Sequence, residues 1–271
     1  GKDLTVGSVP KHLLRFALPM LIGNLLQVGY SIVNAVWIGH IVGENGVGAT
    51  AVSLPIQFML ISLASGITMA TTILVSQYYG ARDYSNVERV VDNSVTLAII
   101  FSVILTAVGI YFGDTLLQSM GTPPEIYAEA SEYLTITLAG FVLVYFGILF
   151  DSILRGLGDT ITPLIFRGAG LFLNTILDPF LIIGIGPFPK LGLSGAAYAS
   201  NIAAGFSILV ALVYLYRKSH IIKIRVDTLK LYTDLTIRTL KIGFPSALQM
   251  SLWSIGMVSI TSYVNAFGAA A

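Results

Sequence analysis

Asp178 is the only charge in the run GAGLFLNTILDPFLIIGIGP at positions 168–187. A carboxylate inside a hydrophobic span costs about 2.5–3.5 kcal/mol on insertion scales, so it persists where it is paired, protonated or set in a wet cavity. Such a group offers uptake and release of a proton or a small cation. The plainer alternative is a structural acid hydrogen-bonded to a neighbouring helix. Asn174 lies four residues earlier, on the same helical face. A second polar stripe comprises Asn24, Gln27, Ser31 and Asn34, whose spacings of three, four and three also share one face. Taken alone, that stripe is explained by polar side chains gluing membrane helices together. Pro179 follows Asp178 directly and frees a carbonyl in the preceding turn. Pro19 either kinks its helix or marks the helix start. A protonated Asp178 could donate to Asn174, Gln27 or Asn34, which would couple proton occupancy to helix packing.

Other candidate residues have simpler expectations. The chain has no Cys, which removes disulfides, thiolate metal sites and a Cys nucleophile. No catalytic or metal-ligating set stands out, so an enzyme is not expected, and no cofactor is implied beyond a coupling ion. Asp151 is placed to pair with Arg155 at i,i+4. Asp92 is expected at the start of its helix, where an acid suits the dipole. His40 is expected in solvent. Tyr30, Trp37 and Tyr145 are candidates for an aromatic drug pocket, with an interface anchor as the simpler role for Trp37. The GLGD run at 156–159 has no strand–helix context and reads as a turn rather than a phosphate loop.

The elements that must position these residues are membrane helices. Of 271 residues, 55% are hydrophobic and only 11% charged, where a soluble domain carries about 25% charged. Mean hydropathy is +0.82. The fold class is therefore an all-α polytopic membrane protein. Seven runs are long enough to cross a bilayer, which takes roughly 20 residues: 16–39, within 45–81, 93–113, 133–150, 163–186, 191–216 and 242–271. The basic N-terminus runs into the first of these without a small-residue cleavage pattern, so it reads as a first span and not a removed signal. A net charge of +1, with no basic face, gives no sign of nucleic acid as a partner.

Placing these spans puts 14 of the 15 Lys and Arg on one side and only Lys190 on the other. The N-terminus is then expected in the cytoplasm. Asn34 lies about 27 Å of helical rise from Phe16, and Asp178 about 22 Å from Pro163. Both fall past the midplane on the external side, where they could share one cavity. The basic segment 217–241 reads as a cytoplasmic linker with helix lying on anionic lipid. Leu14, Arg15, Pro19 and Leu26 align with Leu240, Lys241, Pro245 and Leu252 at an offset of 226 residues, as transporter repeats do. A competing offset of 231 pairs Val33, Asn34 and Ala35 with Val264, Asn265 and Ala266. Residues 1–216 are thus expected to form a six-helix lobe. Residues 242–271 are expected to be the first helix of a second repeat, with the chain stopping inside an apolar span.

Several segments carry a resemblance: LRFALPMLIGNLLQ and VNAVWIGHIVG in span 1, ILVSQYYGARD after span 2, ILRGLGDTITP between spans 4 and 5, LNTILDP in span 5 and KIGFPSALQ in span 7. Together they resemble the multidrug and toxic compound extrusion (MATE) family, across the whole chain. The resemblance implies twelve helices in two six-helix lobes. It also implies export of amphipathic, cationic small molecules in exchange for protons or sodium, from a bacterial inner membrane, by a protein that works as a monomer at full length. The bilayer, the drug and the coupling ion would be its partners. In the proton-coupled branch the first lobe uses a Gln and an Asp on helix 1 with an Asn and an Asp on helix 5. Gln27, Asn174 and Asp178 match, while Asn34 stands where the helix 1 acid is expected. The resemblance would leave Asp178 as the one titrating group of the set.

Three other readings are weighed. A flippase for a lipid-linked substrate, from the same wider superfamily, would want an Arg-rich cavity. A seven-helix receptor would usually place its N-terminus outside, and a retinal protein needs a Lys deep in span 7, where none follows Lys241. A purely structural membrane protein would not need Asp178.

Overall fold

A computed structural model describes residues 8–218 and 230–265, all helices and short connections. The helices are α1 (Val9–Ile41), α2 (Glu44–Gly80), α3 (Tyr84–Ser119), α4 (Pro124–Ala139), α5 (Phe141–Gly156), α6 (Ile161–Ile183), α7 (Leu193–Lys218) and α8 (Thr233–Asn265). Five of them are long and apolar enough to cross a bilayer by themselves: α1 from Phe16, α2, α3, α6, and α7 up to Tyr214. A sixth span is the pair α4 and α5, bent by 49°. The α8 helix is not among them; it opens on Asp234, Arg238 and Lys241 and carries Ser246, Gln249, Ser251 and Ser259 further along. The end of the expected seventh span, 266–271, lies outside the described residues, as does 219–229 of the basic linker.

The helices outrun the apolar runs that predict them. Hydrophobicity marks the slab of membrane, whereas backbone hydrogen bonds continue into the wet turns beyond. Thus α1 begins at Val9 with Pro10 in its first turn. Pro19 lies inside this helix, so it is not a helix-start signal. The α3 helix starts at Tyr84, capped by Asp83, whose side chain accepts from the Asn86 N–H at 3.1 Å. Asp92 is therefore two turns inside the helix, and Asp83 does the capping expected of it. Similarly, α7 runs through Lys218 and α8 starts at Thr233, so both ends of the expected linker are helical. The α1 and α8 helices are 33 residues each, with Pro19 and Pro245 in their interiors.

The expected fourth span is broken at Gly140. There the Asn201 side chain of α7 donates to the Ile136 carbonyl at 2.7 Å and occupies the space a Cβ on residue 140 would need. A side chain inserted into the i→i−4 ladder is a recognised cause of a sharp kink.

The α2 helix is the central post. Ala49, Val52, Ile56, Leu60, Ala64 and Leu74 are buried along its length against α3, α4, α5 and α8. Bilayer lipid is as apolar as Leu, so close packing and interhelical hydrogen bonds hold such a bundle together. Thr71 donates to Ser94 at 2.8 Å, Thr72 to the Ser152 carbonyl at 3.0 Å, and Ser207 to the Phe166 carbonyl at 3.0 Å. At the α2–α8 contact the backbones of Gly66 and Gly243 approach so closely that a Cβ on either would lie 2.5–2.6 Å from the other's carbonyl oxygen. The start of α8 is tied to α3: Asn93 Oδ1 accepts from the Tyr232 N–H at 2.9 Å and the Thr236 hydroxyl at 2.8 Å. Arg89 sits over the Tyr232 ring at 4.6 Å and reaches Asp234 at 3.4 Å.

Tyr145 is fully buried in this core, stacked on Phe141 with ring centroids 6.2 Å apart. It packs the bundle and does not line an open drug pocket. Trp37 is half-buried against the core, and His40 is exposed near the end of α1.

Candidate functional site

The α6 helix sits between α1 and α7, and Asn174 and Asp178 lie on its buried face. The carboxyl of Asp178 is fully buried. Its Oδ1 accepts from the Asn174 amide nitrogen at 2.8 Å. Its Oδ2 is buried without a hydrogen-bond partner. A buried polar atom left unpaired is rare and costly, and more so when it carries charge.

Asn174 is the hub of this arrangement. Its amide nitrogen donates to Asp178, and its Oδ1 accepts from the Tyr30 hydroxyl of α1 and from the Ser200 hydroxyl of α7 at 3.4 Å. The Tyr30 and Ser200 hydroxyls are 3.5 Å apart. One amide therefore links the state of the carboxyl to two neighbouring helices. Tyr133 of α4 is also within electrostatic reach of Asp178. The helix around Asp178 is locally weakened, because Pro179 has no N–H to give the Thr175 carbonyl. Five residues later Gly184, at φ +79°, ends the helix in the left-handed conformation that glycine adopts freely.

The polar stripe on α1 is arranged differently from its spacing. Asn24, Gln27 and Ser31 are exposed, and the Ser31 hydroxyl donates back to the Gln27 carbonyl at 3.0 Å. Asn34 is half-buried with its Oδ1 unpaired. It is Tyr30 that crosses to α6. Tyr30 lies four residues before Asn34, so the stripe's own period pointed to it. The Ser200 contact needs the α6–α7 packing and has no signal along the chain.

Asp151 has a second partner besides the expected one. It meets Arg155 at 3.5 Å on its own helix and Arg167 of α6 more tightly, at 2.5 Å.

A family model described as MatE matches residues 19–180. That segment runs from Pro19 to Phe180 and contains both polar sets. A protein named "Probable multidrug resistance protein YpnP" of Bacillus subtilis (strain 168) is 32% identical over 98% of this chain and 58% of its own length. Among solved structures, an inward-facing conformation of a multidrug resistance MATE family transporter of the MOP superfamily matches with a TM-score of 0.81, at 28% identity over 96% of this chain and 58% of that one. An outward-facing conformation of a transporter described in the same words matches at 0.85, with 28% identity over 97% and 58%. The chain thus spans a little over half the length of the relatives it matches.

Proposed function

The chain belongs to the MatE family of multidrug efflux transporters, and on that premise we propose that the whole protein is a secondary antiporter. It exports amphipathic, cationic small molecules in exchange for protons, and Asp178 is the group that carries the proton. In that protein the first lobe ends with α7 and α8 opens the second. The Lys and Arg asymmetry supports a cytoplasmic N-terminus in a bacterial inner membrane.

One observation carries the reading: Asp178 is wholly buried, with one oxygen on Asn174 and the other unpaired. The unpaired Oδ2 is where a proton can be held without breaking the existing bond. A proton on Oδ1 instead would need the Asn174 amide to turn over, because that oxygen would then donate. The amide nitrogen would point toward Tyr30 and Ser200, and both hydroxyls would change from donors to acceptors. A proton exchanged at Oδ1 thereby acts on α1 and α7 together, as a population shift between two packings requires. Rocking of one lobe against another is the usual means of alternating access in transporters built from repeats.

The test uses the whole protein in proteoliposomes, with a fluorescent lipophilic cation as substrate. Imposed proton and sodium gradients are compared at matched membrane potential. The account predicts uphill movement of the cation with the proton gradient alone. Movement driven only by sodium would overturn the proton assignment.

A further inference from the structure

A second polar site lies between α1, α5 and α6, near the turn that joins α5 to α6. It is a shallow, half-open cleft lined in part by Pro19, Gly23 and Asn24 of α1, Asp151 and Arg155 of α5, and Arg167 of α6. Two guanidinium groups share a single carboxylate oxygen there: Asp151 Oδ2 takes Arg167 at 2.5 Å and Arg155 at 3.5 Å. Each guanidinium has five N–H donors, so most of the donor capacity is not spent on Asp151. Both Arg side chains are about one-third exposed, 32% and 31%, while that of Asp151 is 13% exposed.

Among the described residues, Asp151 is the acid in ion-pair contact with Arg155 and Arg167. The α1 wall contains no Asp or Glu anywhere between Val9 and Ile41. The nearest other acid in sequence, Asp159, uses its oxygens on the Ile161 and Thr162 N–H groups and the Thr162 hydroxyl. It does not line the cleft. Thr160, at the N-terminal end of α6, does line it. Paired guanidinium forks match the geometry of phosphate oxygens.

We infer that this cleft is a binding site for a phosphate oxyanion, and that its ligand is the headgroup of an anionic phospholipid. The geometry favours a lipid over a free anion because the α1 wall continues into exposed apolar side chains. Leu18, Leu21 and Leu25 are all more than half exposed and offer an acyl chain a track beside the charged site. This site is independent of Asp178 and of the coupling ion.

Native mass spectrometry of the purified chain, released from neutral detergent with phosphatidylglycerol or phosphatidylcholine, tests the inference. The unmodified chain is expected to retain phosphatidylglycerol in preference to phosphatidylcholine. Retention should fall about tenfold in Arg155→Gln and in Arg167→Gln, the loss of one charge-assisted contact, and stay unchanged in Lys190→Gln. Arg155→Lys should recover part of it. Arg155→Gln is the safer variant for folding, since it breaks only the longer Asp151 contact. Competing inorganic phosphate identifies the source: persistence of the lipid supports a headgroup site, and displacement at submillimolar phosphate overturns the lipid in favour of the free anion. Equal retention in Arg155→Gln, Arg167→Gln and Lys190→Gln would overturn the site itself.

Discussion

The contact between α2 and α8 makes a sharp prediction, because it depends on two missing side chains. A Cβ at position 66 would lie 2.5 Å from the Gly243 carbonyl oxygen and 2.8 Å from the Ala247 Cβ. Carbon atoms prefer about 3.5–4.0 Å, so the helices must separate by roughly 1 Å. The obstacle is backbone and cannot rotate away. Gly66→Ala should therefore cost about 1–3 kcal/mol, as overpacking does, and Gly66→Val more. Gly147 gives the control: nothing lies within 4 Å of a Cβ built there. Gly147→Ala in the middle of α5 should be neutral or stabilising by up to about 1 kcal/mol. The assay combines unfolding in denaturing detergent with cross-linking. The chain has no Cys, so Ser62→Cys and Ser251→Cys, whose hydroxyls are 3.3 Å apart, report the contact without background. Cross-linking should be efficient in the parent and much reduced with Gly66→Val. If stability and cross-linking yield are both unchanged by Gly66→Val, α8 does not pack on α2 in this way.

Three further outcomes follow from the same structure. Asn93→Ala removes the acceptor for the Tyr232 N–H and the Thr236 hydroxyl and should cost about 1–3 kcal/mol; unchanged hydrogen exchange at the Tyr232 amide would refute the cap. Asp83, at the wet end of α3, has its carboxyl held below the ordinary value of 3.8, first by the side-chain hydrogen bond from Asn86 and then by the Asn86 backbone N–H. Its folded pKa is depressed, so the cap's contribution is complete above 3.8 and fades as pH falls through the lower folded value; Asp83→Ala should therefore destabilise at neutral pH and lose its effect under acid, and a pH-independent difference would refute this. Single Cys residues at the exposed positions Glu125 and Tyr84 should react with an impermeant maleimide from outside and inside the cell respectively, and the reverse pattern would invert the proposed orientation.

The parts of this molecule that repeat locally were readable from the chain. Asn174 and Asp178 share a face because of their i,i+4 spacing and are hydrogen-bonded, with the Asn174 amide donating to the carboxyl and not accepting from it. Span positions followed from apolar runs, but helix ends did not, since the wet turns of α3 and α8 are polar and still helical. What was not readable required a partner helix. Asn201 bends the fourth span at Gly140 from another helix altogether, and nothing near Gly140 signals it. Tyr145 has the composition of a pocket residue, but packing makes it core. In the α1 stripe the amides have the more conspicuous chemistry, whereas the longer reach of Tyr30 brings its hydroxyl to Asn174.

The central claim is that Asp178 carries the coupled proton. Its most direct test is substrate export by the whole protein carrying Asp178→Asn, reconstituted in liposomes and driven by an imposed pH gradient. The account predicts that the variant still binds the lipophilic cation but no longer accumulates it in response to the gradient. Gradient-driven export at the unmodified rate, with the same dependence on pH, would contradict it.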